Sequence, residues 1–214
     1  MPPSIADLRR EYAGTPLEEV AVHPDAIAQF RAWFEEALSA GVVEPNAMTL
    51  ATATADGRPS ARIVLLKGLD ARGFSFYTDY GSRKGRELEA NPHAALVFYW
   101  PELHRQVRVT GSVSRVPREE SEAYFRSRPL ASRISAWVSR QSEPVPSREA
   151  LEARRREAES LFPEGDVPLP DRWGGYVVAP EVIEFWQGRE GRLHDRLRYT
   201  RQPDGSWRID RLSP

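Results

Sequence analysis

The chain has 214 residues, 30 Lys+Arg against 31 Asp+Glu, a formal net charge of -1 and 40% hydrophobic residues. That balance excludes a disordered chain, and the missing basic excess argues against non-specific nucleic-acid binding. With no cysteine, disulfides, thiolate metal sites and Cys nucleophiles are excluded, which suits a reducing compartment.

The length fits a single domain, residues 1–214, large enough to bury a full core. Residues 1–45 read as helical: Ile27, Phe30, Phe34 and Leu38 recur at helical steps, with Pro24 in the first turn and Gly41 as the stop. From 46 to 116 the pattern turns to strands: Met48 to Thr54, an Asp56-Gly57 hairpin turn, Arg62 to Lys67, and Phe74 to Thr78. A short helix follows the cap residue Ser82 and ends before Pro92; Ala94 to Trp100 and Gln106 to Val116 are two more strands. Residues 117–162 are helical again, in Arg118 to Arg128, closed by Pro129, and Ser147 to Leu161. Residues 173–214 carry strands at Gly175–Val178, Val182–Gln187, Arg192–Thr200 and Trp207–Leu212. Short strands joined by turns imply an antiparallel sheet or barrel with flanking helices.

No apolar run approaches the roughly 20 residues that span a bilayer. The N-terminus carries Asp7, Arg9, Arg10 and Glu11 where a signal peptide needs an apolar core. A soluble cytoplasmic protein is expected, with neither membrane nor nucleic acid as partner.

No glycine-rich phosphate loop is present, and the four histidines are scattered, so no metal site is expected. Any phosphate must be held by side-chain cations. Of these, 28 are Arg and two are Lys, Lys67 and Lys84, which suggests that a compact ammonium is needed at those two places. Coding bias explains the same skew. Three cationic clusters stand out. Arg62-Ile63-Val64-Leu65-Leu66-Lys67 puts charges at both ends of an apolar strand, facing opposite sides unless a bulge intervenes; two ordinary strand-end charges fit equally. Tyr77-Thr78 and Ser82-Arg83-Lys84 join a strand end to a helix N-terminus, a physical phosphate site or a solvated helix start. Arg192, His194 and Arg196 alternate as on one strand face, either around an anion or as a charged edge strand. Gln106, Gln141 and Ser142 add polar groups, Tyr124 and Arg128 share a helix face, and Ser132 follows Pro129. Trp186 can border a ring or belong to the core.

Glu184-Phe185-Trp186-Gln187 followed by Arg192-Leu193-His194-Asp195-Arg196 resembles the signature of the pyridoxine/pyridoxamine 5′-phosphate oxidases. The resemblance extends over nearly the whole chain, through Leu8-Arg9-Arg10-Glu11-Tyr12, Gly81-Ser82-Arg83-Lys84, Ser127-Arg128-Pro129, Gln141-Ser142, Trp173-Gly174-Gly175 and Ile209-Asp210-Arg211-Leu212. It implies an α+β, mainly β fold: a split β-barrel of antiparallel Greek-key type, binding FMN at the interface of a homodimer. It implies that FMN meets Arg62, Ile63, Val64, Leu65, Leu66, Lys67, Tyr77, Thr78, Arg83, Lys84, Gln106, Gln141, Ser142, Trp186 and Arg196. The substrate would meet Lys67, Tyr124, Arg128, Ser132, Arg192 and His194, with Arg9 and Tyr12 on an N-terminal lid. Arg192 and His194 would act on the reacting carbon. The implied activity is oxidation of pyridoxamine and pyridoxine 5′-phosphate to pyridoxal 5′-phosphate by dioxygen, a step of vitamin B6 synthesis and salvage. Another split-barrel flavin oxidoreductase, a non-catalytic pyridoxal phosphate carrier and an Arg-rich nucleic-acid module are the rival readings.

Overall fold

The computed structural model describes residues 4–8 and 11–214 of the chain. Gly14, Pro16 and Pro24 keep the stretch before residue 26 from the helix expected there. Among the described residues of that stretch, the regular structure is a short 3-10 turn, Ile5–Asp7. Its backbone finds remote partners instead: Gly14 N–H donates to Gly188 O (3.2 Å) and Leu17 N–H to Asp195 Oδ2 (3.1 Å). Helix α1 (Ala26–Ser39) starts at Asp25, whose carboxylate accepts from Ala28 N–H, so Pro24 lies before the cap. Its buried stripe is Ala26, Phe30, Trp33 and Ala37, while Leu38 is 56% exposed. The stripe is turned from the expected one because Trp33, rather than Phe34, meets Phe185 of the sheet (5.2 Å).

Nine strands make one antiparallel sheet: β1 (Ala47–Ala53), β2 (Pro59–Leu65), β3 (Gly68–Asp70), β4 (Gly73–Asp79), β5 (His93–Trp100), β6 (Arg105–Arg115), β7 (Trp173–Gln187), β8 (Asp195–Arg201) and β9 (Trp207–Arg211). The order is β2-β1-β5-β6-β7-β4-β3, with β8 also on β7 and β9 on β8. The two strands expected between Gly175 and Gln187 are one, β7. Its first half pairs with β4, its second half with β8, and β6 covers its other edge. A register shift at Thr110/Gly111 lets it bend past Pro180. Gly111 is required there, since a Cβ would sit 1.9 Å from Ala179 O.

The sheet curls into a half-barrel around α1. Phe30 fills it against Phe98 (4.8 Å) and Phe74 (4.9 Å), and its full burial is worth roughly 1.5–3 kcal/mol. Helix α2 (Arg83–Ala90) follows β4; α3 (Arg118–Ser127), α4 (Leu130–Val138) and α5 (Arg148–Leu161) follow β6. Helix α4 is absent from the sequence reading because Pro129, taken as a terminator, also opens a helix: its carbonyl accepts from Ser132 and Arg133 N–H. These helices pack Phe125, Ile134 and Ala158 against Trp173 in a second core. Among the described residues no helix is long and apolar enough to cross a membrane.

Candidate active site

Strand β2 ends at Leu65; the next two N–H groups turn away, Leu66 to Asn46 O and Lys67 to Ser75 O (both 2.8 Å). Strict strand period puts Arg62 and Lys67 on opposite faces. The turn instead brings both to the wall of one cleft of about 560 Å³. Ile63, Val64 and Leu65 line it from β2, Tyr77 and Thr78 from β4, Arg83 and Lys84 from α2, and Gln141 and Ser142 from the loop after α4.

Ser82 caps α2 by accepting from Gly85 N–H (3.2 Å), leaving the first helical turn at the cleft. Lys84 is only 7% exposed, and its Nζ donates to Thr78 Oγ1 (3.1 Å) and Gln141 Oε1 (3.0 Å). It makes no ion pair among the described residues. Burial, then the like charge of Arg62, lowers its pKa to about 8. Arg62 and Arg83 converge on Glu87 instead (3.4 and 2.8 Å). Burial works to raise the Glu87 pKa, but hydrogen bonds from Ser60, Thr52, Arg83 and Arg62 hold it down at about 2. The cleft is lined by Arg62, Lys67, Arg83 and Lys84 and by no carboxylate, and Glu87 behind it engages only two of them, so the cleft keeps a positive excess suited to a phosphate.

A second hollow of about 290 Å³ adjoins, sharing Tyr77, Thr78 and Gln141. Tyr77 stacks on Tyr124 (4.0 Å) and on Trp173 (5.6 Å). The Arg128 guanidinium lies 4.7 Å over Trp173 and lines this hollow. Its Nη1 is buried with no hydrogen-bond partner, and burial lowers its pKa. A buried donor without an acceptor is costly unless a ligand supplies one. Burial pushes the Tyr77 phenol up to about 12 and raises Tyr124 as well, so both remain donors at neutral pH. Ser132, in the first turn of α4, lines neither cleft; Ser135 lines the second.

The remaining candidates gather at the far end of β7. Register sets Gln106, Trp186 and Arg196 side by side across β6, β7 and β8. Trp186 lies 4.7 Å from His194, and Tyr12 meets both rings edge-on (5.6 and 5.5 Å). The expected strand over Arg192–Thr200 begins only at Asp195. Arg192 sits in a 3-10 turn with φ 62, directly after Gly191 at φ 62. Arg192, His194 and Arg196 therefore do not alternate along one strand face. A non-glycine residue held in left-handed backbone is strained, a feature that concentrates at functional sites. His194 Nδ1 accepts from Arg189 N–H (3.0 Å), which leaves the neutral ring's proton on Nε2. Burial, then the Arg192 charge, lowers its pKa. Arg196 pairs with Glu184 (2.9 Å). None of Gln106, Trp186, Arg192, His194 and Arg196 lines either hollow of its own chain.

Leu66 turns its side chain into the core, and Arg9 lies outside the described residues. Sequence reading missed Glu87 and Trp173 as parts of the site. The Arg83–Glu87 spacing, four apart on a helix, was the available signal for the first. Among the described residues no cluster of three or more His, Asp or Glu suits a metal.

Comparison with known proteins agrees with this geometry. Residues 34–162 match the family model described as pyridoxamine 5′-phosphate oxidase. Residues 173–214 match the pyridoxine 5′-phosphate oxidase C-terminal dimerisation region. The pyridoxine/pyridoxamine 5′-phosphate oxidase of Rubrobacter xylanophilus is 63% identical over 210 residues, covering 98% of this chain and 96% of that one. The protein of the same name from Cupriavidus necator is 58% identical, covering 98% and 99%. Among solved structures, PhzG from Burkholderia lata, in complex with tetrahydrophenazine-1-carboxylic acid, superposes with a TM-score of 0.88 at 34% identity, covering 94% of this chain and 100% of that one. An FMN binding protein from Nostoc punctiforme shares the fold at 20% identity, TM-score 0.71, covering 86% and 97%. The chain belongs to the pyridoxine/pyridoxamine 5′-phosphate oxidase family.

Proposed function

We propose that this chain oxidises pyridoxamine 5′-phosphate and pyridoxine 5′-phosphate to pyridoxal 5′-phosphate, with FMN as cofactor and dioxygen as electron acceptor. The observation that carries the reading is the pair of adjoining hollows, each with a cation that has no ion-pair partner among the described residues: the buried Lys84 in one, the half-buried Arg128 in the other, while Asp79, the carboxylate that lines the second, pairs with Arg172. Two phosphates, one from FMN and one from the vitamer, supply the missing charges. The residues present fit FMN. Arg83, Lys84 and the first turn of α2 hold its phosphate, with Gln141 and Ser142 closing over it. Strand β2 is an edge of the sheet, so its outward N–H and C=O groups are free to bond the polar rim of a heterocycle.

When bound, FMN would supply the redox chemistry, the two-electron oxidation of the 4′ carbon coupled to reduction of dioxygen to hydrogen peroxide. The alcohol substrate becomes the aldehyde with loss of its hydroxyl proton; the amine becomes an imine that water hydrolyses to aldehyde and ammonia. The protein's part is placement. Arg128, Lys67 and Tyr124 clamp the substrate phosphate by charge-assisted hydrogen bonds. His194, kept neutral by burial and by Arg192, offers its Nε2–H to the 4′ oxygen or nitrogen, and Arg192 sets the orientation of that group.

Since Trp186, Arg192, His194 and Arg196 line neither hollow of their own chain, a homodimer completes each site, the C-terminal cluster of one protomer closing the cleft of its partner. The match of residues 173–214 to a dimerisation region supports this. The test is anaerobic mixing of FMN-loaded protein with pyridoxine 5′-phosphate, followed by admission of air. The yellow colour should bleach, then return with one peroxide per aldehyde, and ammonia should appear only from the amine. A protein that takes up no flavin, or a flavin that stays oxidised, overturns the reading.

A further inference from the structure

The loop that carries Gln141 and Ser142 has little to hold it. It follows the C-terminus of α4, a helix with no basic residue in its last turn, and it passes through Ser142 at φ 74, a left-handed conformation unfavourable for serine. Yet it makes the contacts that close the cleft. Gln141 Oε1 accepts from Thr78 Oγ1 (2.9 Å) and Lys84 Nζ (3.0 Å), and Ser142 Oγ accepts from Arg83 N–H (3.1 Å).

Arg172, immediately before β7, supplies the missing anchor. Its Nη2 donates to the carbonyls of Ala136 (3.0 Å), Trp137 and Ser139 (3.0 Å), which are the orphaned acceptors at the end of α4. Its Nε donates to the buried Asp79 carboxylate (2.9 Å) at the end of β4. Its own carbonyl accepts from Tyr80 N–H (2.6 Å). One guanidinium thus neutralises the negative end of α4 and fastens it to the strand that presents Tyr77 and Thr78. The planar fork reaches the carboxylate and the carbonyls together; an ammonium cannot.

We propose that Arg172 is a positioning residue for the cofactor: through Asp79 and the α4 terminus it holds Gln141 and Ser142 in place over Lys84, so that the phosphate end of FMN meets preformed donors. This rests on the reading of the cleft as the FMN site. The test is titration of apoprotein with FMN, followed by quenching of flavin fluorescence, for wild type, Arg172→Gln, Arg172→Lys and Asp79→Asn. Arg118→Gln is the control, because Arg118 also braces the segment before β7, through Leu169 O (3.0 Å) and Pro170 O (3.2 Å), without touching α4. Both Arg172 variants should raise the FMN dissociation constant by about tenfold or more, Lys rescuing little, and Asp79→Asn should raise it less. At saturating FMN, kcat and the KM for pyridoxine 5′-phosphate should stay within about twofold of wild type. Amide exchange should quicken in residues 139–143 of the Arg172 variants and not in the control. Unchanged FMN affinity in any folded Arg172 variant overturns the proposal, as does an equal loss in Arg118→Gln. If Arg172→Gln does not fold, Arg172→Lys and Asp79→Asn decide. Wild-type protein that ignores FMN overturns the functional reading itself.

Discussion

The two ends of β7 treat charge in opposite ways. Where the strand meets β4, the buried Lys84 and the half-buried Arg128 have no ion-pair partner among the described residues: Asp79 is held by Arg172, and Glu87 is divided between Arg62 and Arg83. Where it meets β8, the cations have partners: Arg196 with Glu184, and Arg211 with Asp195 and Glu19. A buried charge lacking a counter-ion weakens the fold. It persists where a ligand restores the balance, which is why we propose the first end as the one that binds anions. The paired cations of the second end are structural: they fix the turn bearing Arg192 and His194 and the N-terminal segment bearing Tyr12 against it.

The largest effect tests whether both ends serve one reaction. Arg128→Ala and Arg192→Leu should each lower kcat/KM at least about a hundredfold. Each removes a different end, so in a two-fold dimer a mixture of the two inactive proteins, unfolded and refolded together, regains one intact site per hybrid. Activity should return to about a quarter of wild type. No recovery, despite hybrid dimers demonstrated by mass, would place both residues in the same protomer's site. Unchanged flavin reduction by Arg192→Leu in stopped flow would remove Arg192 from the reaction altogether.

Next in size is cofactor retention. Replacing Arg83 and Lys84 together by Ala should weaken FMN binding roughly a hundredfold while leaving the KM for substrate at saturating FMN within a few-fold. Equal losses would mean that the two hollows are not separate anion sites.

Lys84 also sets a pH dependence. Its folded pKa is lowered to about 8 from 10.5, so between those values the unfolded chain binds a proton that the folded one has released. Apoprotein stability from this group therefore rises with pH across that window, on the order of 3 kcal/mol in all, and is flat below it. FMN affinity moves the other way, since a phosphate needs the ammonium: its dissociation constant should climb toward tenfold per pH unit above about 8. Lys84→Met should abolish both trends, read by urea unfolding and by flavin titration at matched pH. A stability trend that persists in Lys84→Met would assign it to another group.

Much of this was legible before the fold was known, and the failures have particular causes. The hairpins, the Ser82 cap and the β5–β6 pair follow from local pattern. Strand period alone misplaced two clusters, because periodicity presumes a strand that continues: β2 stops at Leu65, which lets Lys67 join Arg62, and β8 starts at Asp195, which leaves Arg192 in a strained turn. That Lys84 and Arg128 have no ion-pair partner among the described residues, with Asp79 taken by Arg172, is a tertiary fact that no local window contains. Glu87 was visible only as a helix-face charge, and its burial under two arginines depends on β1 and β2 arriving beside α2. Proline misled at α1 and at α4: Pro24 precedes the α1 cap instead of lying in the first turn, and Pro129, which follows α3, also begins α4.

The smallest effect separates scaffold from site at the far end. Asp195 accepts from Leu17 N–H through Oδ2 and from Arg211 through Oδ1 (2.7 Å), so one carboxylate ties the N-terminal segment to β8 and β9, next to His194. Asp195→Asn keeps the shape and one acceptor oxygen but turns charge-assisted bonds into neutral ones. The segment with Tyr12 should then dock less firmly on Trp186 and His194. KM for pyridoxine 5′-phosphate should rise roughly threefold to tenfold, with kcat changed less and FMN affinity unchanged. A parallel rise in the FMN dissociation constant would show that the paired end also supports the cofactor, and the division between a ligand-compensated end and a self-compensated end would no longer hold.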